Sequence, residues 1–461
     1  MKNIHCSTVS FIASAAGLLA CAAQGQVADA PDGNVAGIPV NYTEAKVGNY
    51  TLPDPLKLAN GQPVKDAKTW NEQRRPELLK YYQSEIYGRI PATAPNVTWQ
   101  VVSNDNNALH GIAVMKQLAG HMGSPDGPAI RVTLYTPANA TKPVPALVSI
   151  SFNFGGAGAR GRGPGSAATN SPPTNAPAAA TAAAATTNAA RAGAFGRGAA
   201  GVMREFGGPQ RGTPAELVTN GFAYATIVYN SIETDAEGQT NVNIVRKLAL
   251  APGQTVPAAD EWGAIAAWAW GISRFVDYLE TDKAVDAKRI AITGVSRLGK
   301  TVLWAGASDP RIALVIASCS GEGGASLARR NYGETIAHLV APARYPYQFA
   351  GNYAKYAKDP GQLAVDTHCL VALMAPRPVL LQTGNTDRWS DPKGEFLAAV
   401  AARPVFELLG KKGPETDEFP AAGKFAGDTL GFYMHAGGHG TIASDWDIFL
   451  KFMETHLKPG T

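Results

Sequence analysis

Arg289-Ile290-Ala291-Ile292-Thr293-Gly294-Val295-Ser296-Arg297-Leu298-Gly299-Lys300 runs from an apolar, β-branched strand pattern, through a glycine-flanked serine, into an apolar helical pattern. Branched side chains are stiff at χ1 and suit a pleated strand. Gly294-Val295-Ser296-Arg297-Leu298-Gly299 is one residue longer than G-x-S-x-G. That pattern seats a serine on a strained strand-to-helix turn, its hydroxyl exposed and the following N–H aimed at an oxyanion. A Cβ at Gly294 would crowd the backbone of such a turn. The helix N-terminus behind Ser296 would add a positive dipole end where negative charge develops. The same letters also fit a plain strand–turn–helix without chemistry, so the surrounding chain has to decide between the two.

Working outward, the strand Ala223-Tyr224-Ala225-Thr226-Ile227-Val228-Tyr229 and a packed helix from Asp260 to Leu279, with tryptophans at 262, 268 and 270, precede the elbow. Strand patterns at 312–318, 377–383 and 430–435 and helices at 391–409 and 442–458 follow it. Strands alternating with helices of this length require right-handed crossovers and a parallel, doubly wound sheet. The elbow then sits mid-sheet, as in an α/β-hydrolase: an α/β fold whose mostly parallel central sheet is flanked by helices in a three-layer sandwich. Nearer the N-terminus, 26–65 reads as an extended leader and Trp70 to Tyr82 as an amphipathic helix ending before Gly88. Strand patterns at 98–103, 111–116, 128–136 and 145–153 suggest an antiparallel edge leading into the sheet.

Residues 155–212 are almost entirely Gly, Ala, Arg, Pro, Thr and Asn, and cannot build a core. They are expected to form a disordered insertion in one catalytic domain spanning 26–461. Residues 1–25 read as a secretory signal: Lys2, an apolar run over 11–20, then small residues. The run is too short to span a bilayer. The expected location is therefore secreted or periplasmic, with lipidation at Cys21 the lesser alternative, since Leu18-Leu19-Ala20-Cys21 is an imperfect lipobox. The net charge of +4 over 461 residues gives no case for nucleic acid. Export would leave Cys319 and Cys369, which can pair or can be two small buried hydrophobes.

A nucleophilic serine needs a base, and the base an orienting acid; on this fold the order is serine, acid, histidine. His439, in Ala436-Gly437-Gly438-His439-Gly440, lies in a glycine-rich loop between the last strand and the last helix, where that histidine belongs. His435 falls on the strand and reads as structural, and His338, His368 and His456 lack the glycine setting. For the acid, Asp387 follows the strand Pro378 to Gly384, while Glu322, in Ser320-Gly321-Glu322-Gly323-Gly324, follows the preceding strand. Both remain open, and Asp391 can serve as a helix N-cap.

With these residues in view, the chain resembles the glucuronoyl esterases of carbohydrate esterase family 15, particularly the bacterial branch. The resemblance rests on Leu52-Pro53-Asp54-Pro55-Leu56, Glu261 to Gly271, Ser296-Arg297-Leu298-Gly299-Lys300, Ala325 to Arg330 with Gly333-Glu334, Ala375-Pro376-Arg377-Pro378, Asp387-Arg388-Trp389 and Gly437-Gly438-His439. It implies a serine esterase, without cofactor, that cleaves the ester joining 4-O-methyl-glucuronate on glucuronoxylan to a lignin alcohol. By that analogy Ser296 is the nucleophile and His439 the base; the Arg297 guanidinium helps its own N–H hold the oxyanion; Lys300, Glu334 and Trp389 hold the sugar. Lys300 also lies one helical turn past Ser296, on the same face. Two departures stand out: fungal members carry a glutamate where Cys319 stands here, which favours Asp387 as the acid, and their disulfide positions are occupied by Val295 and Gly440. The alternatives are an esterase for another ester, such as xylan acetyl groups, and a carbohydrate-binding relative that has lost its chemistry. The expected assembly is a monomer.

Overall fold

The computed structural model describes residues 25–152, 211–238 and 242–458. The expected signal segment 1–25 with Cys21, and the 155–212 insertion, lie outside the described residues apart from Gly25, Arg211 and Gly212.

The leader is not wholly extended, because β1 (Gly33–Val35) and β2 (Ile38–Val40) pair as an antiparallel hairpin. Its two-residue turn places Ala36 at φ 54° and Gly37 at φ 81°, the double positive φ that matches strand twist. The helix predicted over 70–82 is a helical path from 67 to 86, in which α1 (Arg75–Tyr81) is flanked by wider π turns at Trp70–Arg74 and Tyr82–Ile86. Trp70, Leu78, Tyr82 and Ile86 are its buried face.

Then come β3 (Val97–Ala108), β4 (Ala113–Met122), β5 (Ala129–Pro137), β6 (Val144–Ser151) and β7 (Ala223–Val228). The strand expected at 111–116 starts later, because Leu109, His110 and Gly111 all turn at positive φ, and it continues to Met122. α2 (Ala264–Leu279), β8 (Val285–Val295), α3 (Arg297–Ser308) and β9 (Ile312–Ser318) carry the elbow. The chain closes with β10 (Val379–Gly384), α4 (Pro392–Leu408), β11 (Phe425–Gly427), β12 (Leu430–His435) and α5 (Ala443–Leu457). β11 was not predicted from the sequence; three residues carry no readable period.

Among the described residues, ten strands form one sheet in the order β11-β12-β10-β9-β8-β6-β7-β5-β4-β3. The stretch from β12 to β7 is parallel, with antiparallel strands at both ends. Alternation along β8 shows why the sheet is covered on both faces: Ile290 and Ile292 join a core containing residues of α2, α3 and α4, whereas Ala291 joins Phe449, Met453 and Leu457 of α5. This is the three-layer α/β-hydrolase sandwich. Because β8, β9, β10 and β12 are parallel, their C-terminal ends, and the loops that leave them, gather at one edge.

Candidate active site

Ser296 follows β8 with φ 62° and ψ −128°, a conformation that a non-glycine residue adopts only under constraint. Its N–H donates to Ser318 O at 2.9 Å, and its carbonyl accepts from Lys300 N at 3.1 Å, starting α3. Two glycines make the turn possible. A Cβ at Gly294 would come within 2.5 Å of Leu298 O, and one at Gly299 within 2.7 Å of Ser318 O. The longer elbow therefore uses its second glycine to bring α3 close against the end of β9.

His439 lies in the loop after β12, and its Nδ1 is 2.7 Å from Asp387 Oδ2, on the loop after β10. Ser390 Oγ is 3.3 Å from the same nitrogen. Cys319 Sγ, an Asp387 oxygen and a His439 ring nitrogen lie within 4.8 Å of one another. The Cys319 thiol also ties down the histidine loop: Gly440 N–H donates to Sγ at 3.2 Å, and the thiol donates to Gly440 O at 3.4 Å. Cys319 and Cys369 are both buried free thiols. Glu322 lies elsewhere, its Oε1 accepting from the Tyr353 hydroxyl at 2.8 Å.

The Lys300 ammonium is buried and donates to Glu334 Oε2 and to Ser320 O, both at 2.8 Å. Glu334 N–H in turn donates to Trp389 O at 2.9 Å, so these three residues are linked in one cluster. The Trp389 ring meets His338 edge-on at 5.2 Å and takes the Arg344 guanidinium over its face at 5.3 Å. Arg297 is also committed: its Nη1 lies 2.6 Å from Asp235, and its guanidinium stacks 4.2 Å over Tyr345.

Sequence reading missed Asp235, Arg344, Tyr345 and Ser390. Ser390 could have been suspected as the neighbour of Trp389, but the others sit in loops without motif or period. His435 is buried between Asp445, 3.0 Å from its Nδ1, and Gly438 O, 3.1 Å from its Nε2; it buttresses the loop from within. His338 Nδ1 accepts from Thr335 N–H at 3.1 Å, His368 Nε2 lies 2.8 Å from Pro53 O, and His456 packs on Phe452. Asp391 caps α4 through Gly394 N–H at 3.0 Å while pairing with Arg330.

A family model described as fungal glucuronyl esterase matches residues 255–410. A carbohydrate esterase, MZ0003, of unidentified prokaryotic origin is 36% identical over 433 residues, covering 93% of this chain and 95% of that protein. The solved glucuronoyl esterase from Solibacter usitatus is 40% identical with a TM-score of 0.74, covering 90% of this chain and all of that one. The chain belongs to the glucuronoyl esterases of carbohydrate esterase family 15. A 4-O-methyl-glucuronoyl methylesterase from Wolfiporia cocos matches more locally, at 36% identity over 206 residues, 42% of this chain and 50% of that protein. This esterase has a site with uneven electrostatics. Burial would raise the Asp387 carboxyl, but the His439 ring and its hydrogen bond outweigh burial and hold the group below the usual carboxylate range. Burial likewise disfavours a charged His439, yet Asp387 wins and raises the ring above an ordinary histidine. The nearby Cys319 thiol is pushed well up, first by burial and then by Asp387, so it stays protonated. Among the described residues no helix is long and apolar enough to cross a membrane.

Proposed function

We propose that this glucuronoyl esterase is exported and, as a monomer, hydrolyses esters between 4-O-methyl-D-glucuronate side chains of glucuronoxylan and lignin alcohols. Ser296 is the nucleophile, His439 the base and Asp387 the orienting acid. His439 takes the Ser296 proton as Oγ attacks the ester carbonyl, and Asp387 holds the opposite ring nitrogen in its protonated form. The Arg297 N–H and guanidinium stabilise the oxyanion. Collapse releases the alcohol, protonated by His439, and leaves a glucuronoyl-serine. Water, deprotonated by His439, then cleaves that ester and restores Ser296. Lys300, Glu334 and Trp389 grip the sugar, so the enzyme rewards a uronate acyl group over a small one.

The observation that carries the reading is the 2.7 Å contact between His439 Nδ1 and Asp387, at the sheet edge where Ser296 leaves β8 at φ 62°. The buried Lys300–Glu334 pair one helical turn beyond supports the uronate assignment, because desolvated, paired charge beside a candidate site is a common mark of a functional centre. The export proposal rests on the charged start, apolar run and small residues of 1–25. Comparing kcat/KM on benzyl glucuronate with that on p-nitrophenyl acetate tests the specificity. A ratio well above 100 is expected from a gripped sugar, and a ratio near one, or a preference for acetate, refutes it.

A further inference from the structure

Arg297 occupies the first position of α3, where the helix dipole repels a cation. It stays there because Asp235, in the loop after β7, supplies the counter-charge at 2.6 Å. Asp235 is 2% exposed at its side chain and is surrounded by donors. The Tyr229 hydroxyl reaches one of its oxygens at 3.0 Å, Gln348 Nε2 the other at 3.1 Å, and the Tyr347 hydroxyl also bonds it. These partners come from the end of β7 and from the 346–348 turn, so two separate chain segments fix the carboxylate before it meets Arg297. The guanidinium also stacks over the Tyr345 ring at 4.2 Å and lies 5.8 Å from the Phe152 ring, and its side chain is 24% exposed.

We infer that Asp235 is a positioning residue for the reaction, holding the Arg297 guanidinium beside the Ser296 turn for transition-state use. The inference rests on the reading that Arg297 stabilises the oxyanion. A flexible arginine would have to be ordered during each turnover; a preorganised one carries no such cost. Removing the anchor should therefore lower kcat and leave KM nearly unchanged, because the interaction is made to the transition state.

The test is a double-mutant cycle on benzyl glucuronate with Arg297→Ala, Asp235→Asn and both together. Arg297→Ala is expected to lose about a hundredfold in kcat, and Asp235→Asn about tenfold with KM within about twofold. If Asp235 acts through Arg297, the double variant loses no more than Arg297→Ala alone, within about twofold. Losses that multiply would overturn the inference, as would full kcat in Asp235→Asn. Full kcat in Arg297→Ala instead strikes down the oxyanion reading itself, which separates the two failures. Should Asp235→Asn fail to fold, Tyr347→Phe removes one support of the same carboxylate. It should cost a few-fold in kcat on the native background and nothing on the Arg297→Ala background; equal losses on both would again overturn the inference.

Discussion

Two loops leave neighbouring strands at the same edge of the sheet, and each buries a carboxyl group. After β10, Asp387 is 5% exposed and meets the His439 ring at 2.7 Å. After β9, Glu322 is 1% exposed and meets the neutral Tyr353 hydroxyl at 2.8 Å. Desolvation pushes both groups toward the protonated form. Only at Asp387 does a chargeable partner outweigh it; at Glu322 burial, reinforced by Asp366, pushes the carboxyl up to about 8. Strand-end position is thus shared, and the partner decides which group is ionised at neutral pH. The base role proposed for His439 needs an ionised partner to stabilise the imidazolium, and Asp387 meets that requirement.

The largest effect is expected at the proposed nucleophile, without which neither carboxyl has work to do. Ser296→Ala should lose at least about a thousandfold in kcat with the fold intact by circular dichroism; near-normal turnover refutes the serine mechanism. Next comes the ionised partner. Asp387→Asn should cost on the order of a hundredfold or more in kcat. The pH profile gives an independent reading. His439 must be neutral to act, and Asp387 raises its pKa, so the acid limb of kcat/KM should lie above the ordinary histidine value of about 6.5. Asp387→Asn should move that limb to lower pH. An unmoved limb would mean that the pair does not control catalysis.

Lys300 sharpens the comparison from the side of the proposed sugar contact. Lys300→Ala should weaken catalysis on a glucuronate ester by roughly 1–3 kcal/mol and leave p-nitrophenyl acetate nearly unchanged. It should also lower the melting temperature, because Glu334, 8% exposed at its side chain, loses its buried partner. Equal losses on both substrates would speak against a uronate pocket.

These residues differ in how readable they are. The elbow is legible because a branched apolar strand, two glycines and a helical period agree over twelve residues, and each glycine has a measurable clash to avoid. His439 announces itself by its glycine loop. Lys300 follows from helix register, but the burial of its ammonium against Glu334 does not, since thirty-four residues separate them. Asp235 is invisible in the sequence: it meets Arg297 across sixty-two residues of chain, and Tyr347 and Gln348 of a distant turn join the nearby Tyr229 in building its environment. The hairpin at 33–40 and β11 were missed for a simpler reason. Elements of three residues have too few side chains to display alternation, and the sheet or turn that holds them is not local.

The smallest effect on catalysis, and the sharpest test of the contrast, is at Glu322. Its substitution by glutamine keeps an acceptor for Tyr353 and removes the titration, so activity should fall by less than about tenfold. A loss as large as that of Asp387→Asn would transfer the acid role to Glu322. Stability should respond in its own way. The folded-state carboxyl titrates at about 8 against an ordinary 4.5, so between those values the native protein retains a proton that the unfolded chain has released. Folding stability must therefore fall as pH rises through that window, and the contribution is intact only below it. Glu395, also raised to about 8, and Glu233, raised to about 7, add to the same slope, so the informative quantity is the difference between variant and parent. Melting temperatures measured from pH 5 to 9 should show Glu322→Gln gaining on the parent by several degrees as pH rises. Parallel curves would mean that Glu322 is already ionised in the native state, and the distinction between the two loops would collapse.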